Sequence, residues 1–134
     1  MFDIESFTNL VKENPTLPII PMVYYEIVGD DWGYWMGSFR NAYIGEYAFY
    51  NDEYFFDDRD SFKEHYYDWH DDELCEKFNY EPFINEYSVE QGRYTEEQLK
   101  INNENEKLLD EYLDKVADEY FVKAIIVYID LPEV

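Results

Sequence analysis

The stretch "TEEQLKINNENEKLLDEYLDKVADEYFVKAIIVYI", residues 95–129, joins the clearest helical pattern of the chain to its most apolar strand. Thr95 and Gln98 stand three apart, as a capping box requires, and Tyr94 and Leu99 are placed for a hydrophobic staple. Leu109, Tyr112, Leu113, Val116, Ala117 and Tyr120 give the second half a broad apolar stripe, so a helix is expected over 95–121. Its first half, "KINNENEK", is polar and is expected to project past the core. "AIIVYI", 124–129, is apolar on both faces, as a strand in the middle of a sheet must be.

Working back along the chain, Asp3 can cap a short helix over 3–13, with Ile4, Phe7, Leu10 and Val11 on one face. Pro15 and Pro18 stop it. "IIPMVYYEIV", 19–28, is β-branched and aromatic and reads as a strand; Pro21 lacks a ladder donor, so the strand is expected to lie at a sheet edge or to begin after that residue. Residues 32–39 and 42–50 read as two strands of a hairpin joined by "RN", and Gly33, Gly37 and Gly45 inside them suggest bulges or close packing. From residue 61 the pattern turns helical: Ser61 and Glu64 form a capping box and Phe62, Tyr66 and Trp69 line one side. A second short helix starts at Asp71 or Asp72 and carries Leu74, Cys75 and Phe78. Residues 79–92 form a connection long enough to hold some structure of its own. The expected fold is one α+β domain over 1–134: an antiparallel sheet of about four strands covered by helices.

Composition sets the limits on function. Thirty-two Asp and Glu face ten Lys and Arg across 134 residues, a formal charge of −22. Apolar residues make up 46% and aromatics 21%, enough to bury a core despite the charge. Solubility alone asks for about 2–8 net charges on a small domain, so the excess suggests that the field itself is used. Direct binding of nucleic acid or of an anionic membrane needs a basic surface and is excluded. The partners that fit are basic proteins, above all those that bind nucleic acid. Cys75 is the single cysteine, so no internal disulfide forms. "MFDIESF" has neither the basic nor the apolar region of a signal peptide, and a cytoplasmic location is expected.

No catalytic signature stands out, and the chain is not expected to be an enzyme or to hold a metal or other cofactor. His65 and His70 are five apart, about 140° around a helix, which is not the i, i+4 zinc-protease spacing. Glu64, Asp68 and Asp71 share a face, yet "DDRDSFKEHYYD" lacks the glycine and alternation of a calcium loop. Ser38 lies outside any nucleophile elbow, and acids flank Cys75 and blunt its thiolate. Trp32, Tyr34, Trp35, Met36 and Phe39 could stack bases, but without cations around them they suit a core better.

What remains is a charged protein-binding surface. Glu97, Glu104, Glu111 and Asp118 recur every seven residues, in helical steps of about 10.5 Å. Asp57, Asp58, Asp60, Glu64, Asp68, Asp71, Asp72 and Glu73 form a second set, accompanied by Tyr54 and Tyr67. Duplex DNA carries a charge about every 1.7 Å of axis, so dense acidic helices can stand in for phosphates in an Arg- and Lys-lined cleft. "LPIIPMV", "DDWGYWMGSF", "IGEYAFYNDEYFFDD" and "DDELCEKFNYEP" resemble small uncharacterised acidic proteins of bacteriophages and mobile elements in Gram-positive bacteria. The setting is similar to that of anti-CRISPR and antirestriction proteins. The resemblance implies a DNA-mimicking inhibitor whose target is a nuclease, including an RNA-guided one whose arginines read a short DNA motif. Two other expectations stand beside it: a structural or assembly protein whose acids serve solubility, and, more weakly, a metal-dependent hydrolase using Glu64, His65, Asp68 and His70.

Overall fold

The computed structural model describes residues 4–27 and 34–132. In chain order the elements are α1 (Ile4–Glu13), β1 (Ile19–Val23), a 3-10 turn (Tyr25–Ile27), β2 (Ser38–Tyr50), β3 (Tyr54–Phe56), α2 (Arg59–Trp69), α3 (Asp71–Phe78), α4 (Glu86–Glu90), α5 (Glu96–Tyr120) and β4 (Val122–Asp130). The fold is α+β, with a four-stranded sheet in the order β1-β4-β2-β3. The chain divides into two compact units, one of residues 1–48 and 122–134, the other of 49–121.

In the first unit β4 lies between β1 and β2, and Ala124, Ile125, Ile126 and Val127 are all buried, so both faces of the strand are covered. That is the place its unbroken apolar run foretells. The sheet is not purely antiparallel as expected. β2 runs antiparallel to β4, pairing Ile44 with Ile125, but β1 runs parallel to it, pairing Ile19 with Ile125. Nearly a hundred residues separate β1 from β4, so no tight turn dictates their relative direction. Pro21 pairs opposite Val127 on the edge strand β1, where its missing donor disrupts no second ladder.

The two strands expected around "RN" are one. β2 runs through both residues, and the register shifts between Phe39 and Asn41, so Arg40 is the extra residue of a bulge. Its guanidinium lies 3.5 Å from Asp130. The 19–28 strand is also shorter than expected, ending at Val23 before the 3-10 turn, and residue 28 lies outside the described residues. Asp3, Trp32 and Gly33 lie outside them too. In α1, Phe7 meets Phe39 with centroids 6.2 Å apart, whereas Ile4, placed on the apolar face by its spacing, is exposed. The close packing suggested for the glycines holds at both described positions. A Cβ on Gly37 would collide with Ile129 Cγ2 and sit 3.1 Å from the Asp130 carbonyl; one on Gly45 would sit 2.8 Å from Tyr43 Cε2.

The second unit begins with a hairpin. Asn51 and Asp52 have φ of 54° and 56°, the pair of left-handed residues that a type I′ turn needs, and Glu53 N–H donates to the Tyr50 carbonyl at 3.2 Å. α2 starts earlier than expected. Its cap is Asp58, whose carboxylate accepts from the backbone of Asp60 at 3.2 Å and of Ser61 at 3.3 Å; Ser61 Oγ donates to the same group. The Ser61–Glu64 box is therefore not the start signal. For α5, Thr95 and Gln98 do form the reciprocal box.

The polar half of α5 does not project past the core. Asn102 is 3% exposed; its Oδ1 accepts from Glu81 N–H at 2.8 Å, and its Nδ2 donates to the carbonyls of Glu81 at 2.9 Å and Ile84 at 3.3 Å. Asn105 Nδ2 donates to the Asn79 carbonyl at 3.1 Å. The 79–92 connection is thus tied to α5 by amide side chains, and α4 within it is closed by an Asn85–Ser88 capping box.

Two substitutions test this packing. Gly37→Ala is expected to cost about 1–3 kcal/mol in urea unfolding, because Ile129 and the Asp130 backbone must move. Asn102→Leu is expected to cost about 2–4 kcal/mol. It should strip hydrogen-exchange protection from residues 81–92 while leaving the buried half of α5 protected; unchanged protection there would contradict the anchoring role.

Candidate protein-binding face

On α2 the apolar and acidic sides separate cleanly. Phe62 is completely buried and meets Tyr50, Phe56, Tyr66, Tyr120 and Phe121 at ring distances of 5.4–6.1 Å. Asp60, Glu64 and Asp68, at i, i+4 and i+8, lie on the opposite side and are all exposed. Asp57 precedes them in the chain, and Asp71, Asp72 and Glu73 follow as the exposed first turn of α3, where the partial positive charge of the helix N-terminus favours them. Asp58 belongs to the same group but is committed to the cap. Its hydrogen bonds from Ser61 and from the Asp60 backbone hold its carboxyl below the usual carboxylate range.

The three cations between residues 50 and 78 are each engaged. Arg59 pairs with Asp118, its guanidinium 5.3 Å from the centre of the Phe121 ring. Lys63 bridges Asp110 at 2.8 Å and Asp114 at 2.6 Å. Lys77 stands 4.1 Å over the Tyr112 ring. Lys63, one turn from Asp60, is therefore committed to α5 rather than to the outward stripe.

The second acidic row differs. Glu97, Glu104, Glu111 and Asp118 are exposed, on the side of α5 opposite Leu109, Leu113 and Val116. Lys100, Lys107 and Lys115 interleave them at i+3 and i+4, the spacings at which helical side chains meet. Asp118 also carries Arg59. The α5 row is thus an alternating ladder, and the unopposed acids are those of α2 and α3. The same spacing that singles out the row in the sequence also reveals its lysines.

The tyrosines divide as well. Tyr54 is 41% exposed, its ring 4.6 Å from that of Trp69. Tyr67 is turned inward, its hydroxyl 3.3 Å from Cys75 Sγ. Trp69, placed in the core by its spacing, is instead 38% exposed, stacked on Tyr50 at 5.2 Å with 9° between planes. Tyr54 and Trp69 make a half-exposed aromatic pair on the Phe62 side of α2, away from the stripe Asp60–Glu64–Asp68. Trp69 stands in the last turn of α2, and periodicity, which gives its side of the helix, does not give its exposure.

The histidines serve the packing. His65 Nδ1 donates to the Ser61 carbonyl at 2.8 Å, and its ring lies against Phe56 and Trp69. His70 Nε2 shares a 2.9 Å hydrogen bond with the Tyr50 hydroxyl. Among the described residues no three His, Cys, Asp or Glu side chains converge as a metal site would require. No described helix is long and apolar enough to cross a membrane. No protein family, curated protein or solved structure matches the chain.

Several of these groups share a pH dependence. Burial pushes the phenols of Tyr50, Tyr66, Tyr67 and Tyr80 above the ordinary value of 10.0. Burial alone would lower Lys63, but Asp110 and Asp114 outweigh it and raise the ammonium above 10.5. A group whose folded pKa is raised contributes stability below its unfolded pKa and loses it as pH climbs through the folded value. Stability should accordingly fall above about pH 10. Absorbance at 295 nm should show the exposed tyrosines ionising first and a delayed class ionising together with the loss of near-UV circular dichroism. A single tyrosine transition with the fold intact would overturn this.

Proposed function

We propose that the protein is a non-enzymatic, DNA-mimicking inhibitor whose α2–α3 face occupies the basic nucleic-acid-binding cleft of a nuclease. An RNA-guided nuclease, with its arginine-lined DNA channel, is a target of the right chemistry. The observation that carries this reading is the asymmetry between the two acidic surfaces. On α2–α3 the acids face outward while the neighbouring cations are bound to α5 and Phe121. On α5 each acid of the row Glu97, Glu104, Glu111 and Asp118 has at least one lysine three or four residues away.

The stripe Asp60–Glu64–Asp68 advances in steps of about 6 Å, closer than the α5 row. Arginine and lysine side chains meeting it gain charge-assisted hydrogen bonds and release counterions. α5 retains a supporting part through its long-range field, with Glu97, Glu104, Glu111 and Asp118 at the periphery.

The test is a binding assay against basic nucleic-acid enzymes, RNA-guided nucleases included, with duplex DNA as competitor. Binding should be displaced by the duplex and should weaken at least about tenfold between roughly 50 and 200 mM salt. D60N/E64Q/D68N should abolish most of the affinity, and E97Q/E104Q/E111Q should change it little. Salt-insensitive binding, or binding alongside the duplex, would sink the proposal and leave the acids a solubilising role in a structural or assembly protein.

A further inference from the structure

A groove of about 540 Å³ opens within the second unit between Tyr67, the Tyr80–Pro82 segment and one side of α5. Its volume is that of a cleft able to hold a small ligand or a long side chain. Leu109 and Leu113, both buried, form an apolar floor, and the Tyr67 and Tyr80 rings wall it. Glu106 and Asp110 stand at its rim. With Asp110 already holding Lys63, aromatic walls and the Glu106 carboxylate at the mouth suit a flat cation with an apolar stem, and fit neither an anion nor a wholly apolar ligand.

The molecule already displays this chemistry nearby. Asp110 holds the Lys63 ammonium at 2.8 Å, and Tyr112 carries the Lys77 ammonium over its ring at 4.1 Å. The charges that act on the walls are anionic: Glu106 and Glu81 on Tyr80, and Asp71 on Tyr67. Lys107 brings one ammonium to the rim, but it also borders the outer face of α5 with Lys100 and Glu104, so its flexible stem has a second place to rest.

We infer that this groove receives the guanidinium of an arginine side chain presented by a basic protein partner. The inference rests on the proposed function and adds a specific anchor to a surface otherwise recognised by its field. Arginine fits better than lysine because its planar, weakly hydrated head can lie against the phenol rings while donating to Glu106.

The experiment is a two-dimensional NMR titration of the full chain with N-acetyl-L-argininamide, N-acetyl-L-lysinamide and the neutral citrulline analogue. The arginine compound should give saturable shifts at the Leu109 and Leu113 methyls and at Tyr80. The lysine compound should bind at least several-fold more weakly, and the citrulline compound should not saturate. Asn103→Trp, which fills the mouth from an exposed position without changing charge, should weaken the arginine titration at least tenfold. Non-saturating shifts spread over Asp60, Glu64 and Asp68, or saturation that survives Asn103→Trp, would overturn the groove. That failure is separable from failure of the wider reading, which depends on salt and duplex competition at the α2–α3 face.

Discussion

Lys63 spans two carboxylates of α5, Asp110 and Asp114, and the arrangement of the second unit follows from that commitment. A chain with 32 acids and ten bases cannot neutralise its surface, so where the few cations go decides which acids stay unopposed. Lys63, Arg59 and Lys77 join α2 and α3 to α5 or to the rings beside it. Lys63 is largely sheltered, and the attraction between its charge and two carboxylates is screened less there than on the open surface. The consequence for function is indirect: cations used to fasten helices together are unavailable to mask the outward stripe.

Aromatic packing makes this distribution tolerable. Tyr50 touches Phe62, Tyr66, Trp69, His70 and Tyr120, and Phe62 is fully buried at the centre of the same cluster. Large rings bury much area per residue, so a unit of modest length can offset the self-repulsion of its surface. The hydroxyls stay satisfied at the edges: Tyr50 meets His70 and Tyr67 meets Cys75. Among the described residues no buried side-chain polar atom lacks a partner.

Elements whose signals are local were legible in the sequence. The Thr95–Gln98 box and the two-faced apolar run of β4 follow from residues a few positions apart. Gly37, Gly45 and Pro21 signal a constraint locally, although the neighbours that impose it, Ile126 to Asp130, lie far along the chain. What escaped depends on partners distant in the chain. Whether β1 runs parallel or antiparallel to β4 is settled by a connection that passes through the whole second unit. "RN" looks like a turn until β4 supplies a continuous partner that accommodates it as a bulge. Asn102 reads as solvent-facing because an amide's polarity says nothing of a backbone segment some twenty residues upstream that needs its hydrogen bonds. For the site, the acids of α2 were legible, but their standing relative to the α5 row was not. That contrast needed the positions of Lys63 and Arg59, and attention to Lys100, Lys107 and Lys115 within a helix read only for its acids.

Within the stripe Asp60–Glu64–Asp68 only Asp60, in the first turn of α2, stands where the helix N-terminus favours an acid. Like charges at i, i+4 each destabilise a helix by about 0.2–0.5 kcal/mol, and this stripe contains two such pairs in succession. α5 shows that the same chain can build an exposed helix face with its charges alternated. Solubility would be served equally by that pattern on α2, since what it requires is charge of either sign on a patch-free surface. An uncompensated row of like charge is therefore a local departure from what stability favours. Departures of that kind are expected where a surface serves binding, which is the use proposed for this one.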